Sequence, residues 1–194
     1  TGGGTIVLSD RTTNYIRGRA NTYRLINVNN TISGAGHLGQ DYMGLTNEGL
    51  IDANQSNTLT IDPSTVAGAT NTGTMQASSG GTLKLLNGTF TNTGGTIQAL
   101  DASVLELSGA TVTGGEVRNV AGGQMELYNS TISGGALINS TTGIIRATGS
   151  TTTIETALTN PAGGRLIIAN GQTLKLGSAG SYYNEGEISL ESSG

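Results

Sequence analysis

The sequence predicts an all-β protein, a right-handed parallel β-helix (β-solenoid) of roughly eight to nine coils with about 20–24 residues per coil. Three observations carry the prediction. An apolar-x-apolar triplet returns at near-constant spacing; a Thr-rich triplet follows it at a fixed offset; and double glycines close the units. Composition agrees: among 194 residues there are 32 glycines and 2 prolines, with 4% aromatic and 11% charged residues, a balance foreign to a compact globular core. A disordered chain would also be glycine- and serine-rich, but it would lack aliphatic residues on a schedule.

The first element of each unit is read from Leu59-Thr60-Ile61, Leu83-Lys84-Leu85, Leu105-Glu106-Leu107, Met125-Glu126-Leu127, Ile145-Arg146-Ala147 and Leu166-Ile167-Ile168, whose starts are 24, 22, 20, 20 and 21 residues apart. Period-two alternation marks a strand with one buried face, and no helical period is sustained. The second element is Thr65-Val66-Ala67, Thr89-Phe90-Thr91, Thr111-Val112-Thr113, Thr131-Ile132-Ser133 and Thr151-Thr152-Thr153, each with its central residue expected inside. Corners follow at Gly94-Gly95, Gly114-Gly115 and Gly134-Gly135, where glycine allows a tight bend. The third element points Met75 and Ala77, Ile97 and Ala99, Val117, and Leu137 inward.

One such unit has a single thin apolar layer, so it must stack on its neighbours, strand over strand at about 4.8 Å, into a rod near 40 Å long. The right hand is expected from the strong preference of parallel β connections. The whole chain, residues 1–194, is read as one solenoid domain, with less regular coils over 1–57, the most regular over 58–148 and less regular ones over 149–194. The less regular ends still echo the pattern: "LTNEG" from Leu45 and "YYNEG" from Tyr182 resemble "ATNTG" from Ala69 and "FTNTGG" from Phe90, each with an Asn two residues before a Gly.

Composition also bounds function. The net charge of −4 comes without a basic track, so no nucleic-acid partner is expected. The absence of cysteine excludes disulfides and thiolate metal sites. No apolar run reaches the roughly 20 residues of a membrane helix, so direct membrane insertion of this segment is not expected. "TGGGTIVLSD" has no signal-peptide character, which puts any export signal outside this stretch.

No catalytic or metal-ligating set and no cofactor are predicted. Asp10 with Arg11, Arg17, Arg19 and Arg24 reads as a solvated terminal face rather than a lyase-like centre, and His37 as an isolated surface or turn residue. The double glycines lead to Thr96, Glu116 and Ala136 instead of a periodic Asp, which rules out a calcium roll of the nonapeptide type. Lys84, Glu106, Glu126 and Arg146 occupy equivalent outward positions, with opposite charges expected to meet in the first and last pairs. Two ligand-contact surfaces remain. One is the threonine array of Thr65, Thr89, Thr91, Thr111, Thr113, Thr131, Ser133, Thr151 and Thr153, an arrangement shared with some ice-binding β-helices but interrupted by Ala67 and Ser133. The other is the aromatic group Tyr15, Tyr23 and Tyr42, suited to glycan contact.

The stretches "TISGAGHLGQDYMGLTNEGLIDANQSNTLTIDPS" and "LKLLNGTFTNTGGTIQALDASVLELSGATVTGGEV" resemble the repeat regions of large secreted bacterial surface proteins, the filamentous-haemagglutinin-like adhesins and autotransporter passenger domains. The resemblance spans the chain from about Asn30 onward. It implies a β-helix exposed at the bacterial cell surface, used as a stalk or adhesive surface toward a host cell, a neighbouring cell or a polysaccharide. A carbohydrate-binding module is the alternative, with a polysaccharide-active enzyme or an ice-binding protein further behind. Open coil ends also make end-to-end self-association an expectation.

Overall fold

The computed structural model describes residues 3–178 and 180–192. The chain is a parallel β-solenoid of about eight turns, as its periodicity requires. Three faces wind around one core. The first face is a nine-stranded parallel sheet made of Tyr15–Ile16, Gly36–Leu38, Leu59–Ile61, Thr82–Leu86, Val104–Ser108, Gln124–Tyr128, Ile144–Ala147, Arg165–Ile168 and Glu187–Leu190. The second face begins with Arg24–Asn27, Gly44–Asn47, Ala69–Asn71, Thr89–Thr91 and Thr111–Thr113. The third begins with Thr5–Val7, Thr31–Ser33, Leu50–Ala53, Thr74–Ala77, Thr96–Ala99 and Glu116–Asn119.

In the upper coils the second and third faces fuse, because Thr131–Ile138 and Thr151–Asn160 run through the corner as continuous strands. Gly134-Gly135, expected as a strand-breaking corner, is instead a bulge: the pairing slips between Ser133 and Ala136, and the Gly135 amide donates to Thr156 Oγ1 at 2.9 Å. Thr173–Leu176 and Tyr182–Asn184 then separate the faces again.

On the first face the stacking follows the sequence alignment. Leu59, Leu83, Leu105, Met125, Ile145 and Leu166 are partners in consecutive strands, as are Ile61, Leu85, Leu107, Leu127, Ala147 and Ile168. Both columns are buried, since alternation sends every second side chain to the same side of the sheet. Met75, Ile97, Val117 and Leu137 form the facing column from the third face, and Phe90, Val112, Ile132 and Ile154 the column from the second. Each fully buried Leu or Ile contributes about 1.5–3 kcal/mol, so stability accumulates coil by coil.

The second face departs from the expected alignment at both ends. Thr65-Val66-Ala67 is a turn with Val66 66% exposed, and the strand stacked under Phe90 is Ala69–Asn71. Further up, Thr131 lies under Thr153 rather than Thr151, because the register places apolar Ile154 over Ile132. Thr152 then faces inward, and its buried hydroxyl donates to the Leu127 carbonyl at 3.0 Å.

Two buried asparagine ladders line the corners. In the lower one Asn27, Asn47 and Asn71 each donate to the Oδ1 of the next, ending at Asn92, at 2.7, 2.8 and 2.7 Å. In the upper one Asn139 donates to Asn160 and Asn160 to Asn184, both at 2.6 Å. The same amides also reach corner carbonyls, such as Gly73 and Thr96 for Asn71, so the bend's backbone acceptors are met by side chains rather than water.

At the Gly94-Gly95 corner the two glycines serve different purposes. Gly94 has φ +81° and open space around it, so conformation selects it. Gly95 is not in the left-handed region, but a Cβ there would lie 2.5 Å from both the carbonyl oxygen and Nδ2 of Asn71. Space selects the second glycine, and the asparagine ladder is what fills it.

Candidate functional site

With corners this short, the outward rows of the three faces are the chemistry the rod presents. On the first face one row reads Tyr15, His37, Thr60, Lys84, Glu106, Glu126, Arg146, Ile167 and Ser189 in consecutive strands. The next outward row on the same face carries Leu86, Ser108 and Tyr128. Between these rows lies a shallow groove of about 410 Å³, lined by Lys84, Glu106, Ser108, Glu126, Tyr128 and Thr148.

Lys84 Nζ pairs with Glu106 Oε1 at 2.7 Å, as the alignment predicts. The second expected pair does not form. Arg146 makes its ion pair with Glu191, beyond Ile167 of the intervening coil, and that contact holds its guanidinium above the ordinary range. The Glu126 carboxyl is the more desolvated of the two carboxylates within reach, and Glu106 repels it further. Glu191 is more solvated and takes the cation with less desolvation. Glu126 is therefore pushed up, chiefly by burial, with Arg146 opposing and Glu106 and Glu191 adding to the shift. Tyr128, two residues along the strand, shows 49% of its surface.

The threonine array is regrouped by the true register. One row holds Thr89, Thr111, Thr131 and Thr153, and the other Thr46, Thr70, Thr91, Thr113 and Ser133, followed by Glu155. Thr70 and Thr46 replace Ala67 in that second row. Thr65 stands in the turn, its amide donating to Asp41 Oδ1, and Thr151 sits two positions early, its amide donating to Asn129 Oδ1. Below Thr89 the first row has only Gly68 and Gly44, and the Arg24 guanidinium lies across them, donating to the carbonyls of Leu45 and Ala67.

The three N-terminal tyrosines are half-exposed, and the backbone of Tyr42 and the Cβ of Tyr23 both lie close to Gly18. Tyr15 stacks on His37 with ring centroids 5.3 Å apart, Tyr42 carries the Arg17 guanidinium 5.7 Å from its ring, and the Tyr23 carbonyl accepts from the Gly44 amide. The charge cluster disperses. Asp10 accepts from the Ser56 hydroxyl and the Asn57 amide, which keeps its carboxyl below the usual range and ties it to a corner two coils further along.

A second acidic pair occurs at Asp41 and Asp62. Burial first, then the Asp41 charge, raises the Asp62 carboxyl, against the Asn87 hydrogen bond and His37; its Oδ1 is buried without a hydrogen-bond partner. Among the described residues no three of His, Cys, Asp and Glu are grouped to hold a metal ion, and no helix is long and apolar enough to cross a membrane. At the C-terminal end an apolar groove of about 350 Å³ opens between Leu166, Leu174, Leu176, Ile188 and Leu190.

Sequence reasoning missed Tyr128 as a site residue. It stands at the outer end of its triplet, where Leu86 and Ser108 occupy the neighbouring coils, so no repeat marked it. No protein-family model, curated protein or solved structure matches the chain.

Proposed function

We propose that this chain is a structural and adhesive segment of an extracellular bacterial surface protein, a stiff spacer whose outward rows make many weak contacts without a catalytic step. The observation that carries the reading is the unbroken register of the first face: nine strands present side chains at one fixed interval, with no long loop interrupting the surface. Such a surface favours multivalent attachment, because each further contact after the first is intramolecular. The resemblance to adhesin and passenger-domain repeats supports placement outside the cell.

The test is adhesion at controlled density. Beads coated with the full chain should adhere to cells or polysaccharide films with a steep dependence on coating density, while the free chain binds weakly. Beads that fail to adhere at every density would remove the adhesive part of the proposal.

A second reading, carbohydrate contact, is favoured by one feature, the groove in which half-exposed Tyr128 stands beside two carboxylates and two hydroxyls. Aromatic platforms with a few convergent polar groups are the usual form of small-ligand sites, and 410 Å³ falls within their range of about 300–1,000 Å³.

A further inference from the structure

We propose that the groove across Val104–Ser108 and Gln124–Tyr128 binds an amine-bearing sugar unit of a polysaccharide, with the ring on Tyr128 and the ammonium group at Glu126; this rests on the carbohydrate reading above.

The charges within the groove decide the ligand's sign. Lys84 is taken by Glu106, and Arg146 is drawn away to Glu191. The lining residues Lys84 (+1), Glu106 (−1) and Glu126 (−1) sum to −1. Glu126 is thus a partly buried carboxylate with no ion pair within 4 Å among the described residues, beside a second carboxylate that repels it. An incoming cation relieves both effects; an acidic sugar would add to the repulsion.

Tyr128 reinforces the preference. Glu126 and Tyr128 are two residues apart on one strand and so project to the same side, which places a carboxylate and the face of an aromatic ring around one small volume. An ammonium there is attracted by both.

The hydroxyls distinguish a sugar from a lysine side chain. Ser108 is the register partner of Tyr128 on one side, and Thr148 lines the groove from the coil on the other. Tyr128 therefore stands in the groove between two hydroxyl-bearing residues, one from each neighbouring coil. A pyranose lying on it offers hydroxyls to both, whereas a lysine chain has nothing to pair with them.

The experiment titrates the full chain at pH 6 and low salt with a glucosamine tetramer, its N-acetylated counterpart, a neutral glucose tetramer and tetralysine, following amide shifts or heat. Saturable binding of the glucosamine tetramer is expected, about tenfold tighter than any of the other three. Tyr128→Ala should weaken it about tenfold, and Glu126→Gln should erase the preference for the amine over the acetamide, with circular dichroism unchanged in both variants. The proposal is overturned by absent saturation with the glucosamine tetramer, by unchanged affinity in the two folded variants, or by tetralysine binding as tightly. If polysaccharide films still retain the chain when the tetramer does not bind, this subsite fails and the carbohydrate reading survives; loss of both removes both.

Discussion

At the residue scale, the asparagines are where polar chemistry and fold coincide. Asn71 is buried and links Asn47 below to Asn92 above, while also serving the Gly73 and Thr96 carbonyls. Removing it leaves several buried groups unsatisfied, each costing about 1–3 kcal/mol. Asn71→Ala should therefore lower the urea midpoint far more than Asn184→Ala, whose side chain is exposed at the top of its ladder; equal midpoints would mean the ladder adds nothing. Glycine substitutions make a second comparison. Gly94→Ala meets only the left-handed φ penalty, about 1–2 kcal/mol, whereas Gly95→Ala drives a methyl against Asn71 and should destabilise more. Thermal midpoints of the two variants check the order.

At the scale of the strand and its neighbours, register determines which side chains meet. The first face was legible in the sequence because Leu-x-Leu has one apolar reading and a one-residue slip would expose both leucines. The second face was legible only in its middle. Thr65-Val66-Ala67 and Ala69-Thr70-Asn71 both fit a strand by composition, and Thr151-Thr152-Thr153 is uniform enough to slide by two; Asn71 and Ile154 settle the matter only through partners in neighbouring coils. The Asn-before-Gly echo was visible, but its inward direction follows from the close approach at Gly95, which no spacing reveals.

Charge on the first face yields a pH prediction at this scale. Because the Glu126 carboxyl is raised in the folded chain, mainly by burial, the fold takes up its proton more readily than the unfolded chain does. Its protonated form favours the fold at low pH, and that advantage is lost as pH rises through the raised value. Glu126→Gln should thus be the more stable protein at neutral pH, with the gap closing as pH falls toward the ordinary glutamate range. Denaturation midpoints across pH 4 to 8 give the comparison, and a gap that widens toward acid would contradict it.

For the whole molecule, the solenoid is a one-dimensional stack in which each coil's backbone pairs only with the coils on either side. Leu176 and Leu190 at one end of the described stack, and Ile6 and Val7 at the other, are exposed, so end-to-end association of the isolated chain is a prediction of this geometry. Leu105, fully buried in the middle of the stack, should be the opposite case: Leu105→Ala opens a cavity that neighbouring coils cannot close and should cost about 2–5 kcal/mol, whereas Leu190→Ala should leave stability nearly unchanged and reduce self-association, read by sedimentation. The surface reading of function rests on the same geometry, since evenly repeated contacts require evenly stacked coils.

Distances between paired spin labels on one outward row measure that stacking directly. With a strand spacing of about 4.8 Å, label sites at His37 and Glu106, His37 and Arg146, and His37 and Ser189 should lie about 14, 24 and 34 Å apart, three, five and seven coil steps along the row. A linear increase with coil number is the predicted result. Separations that fail to grow with the number of coils between the labels would contradict the solenoid and the functional account built on it.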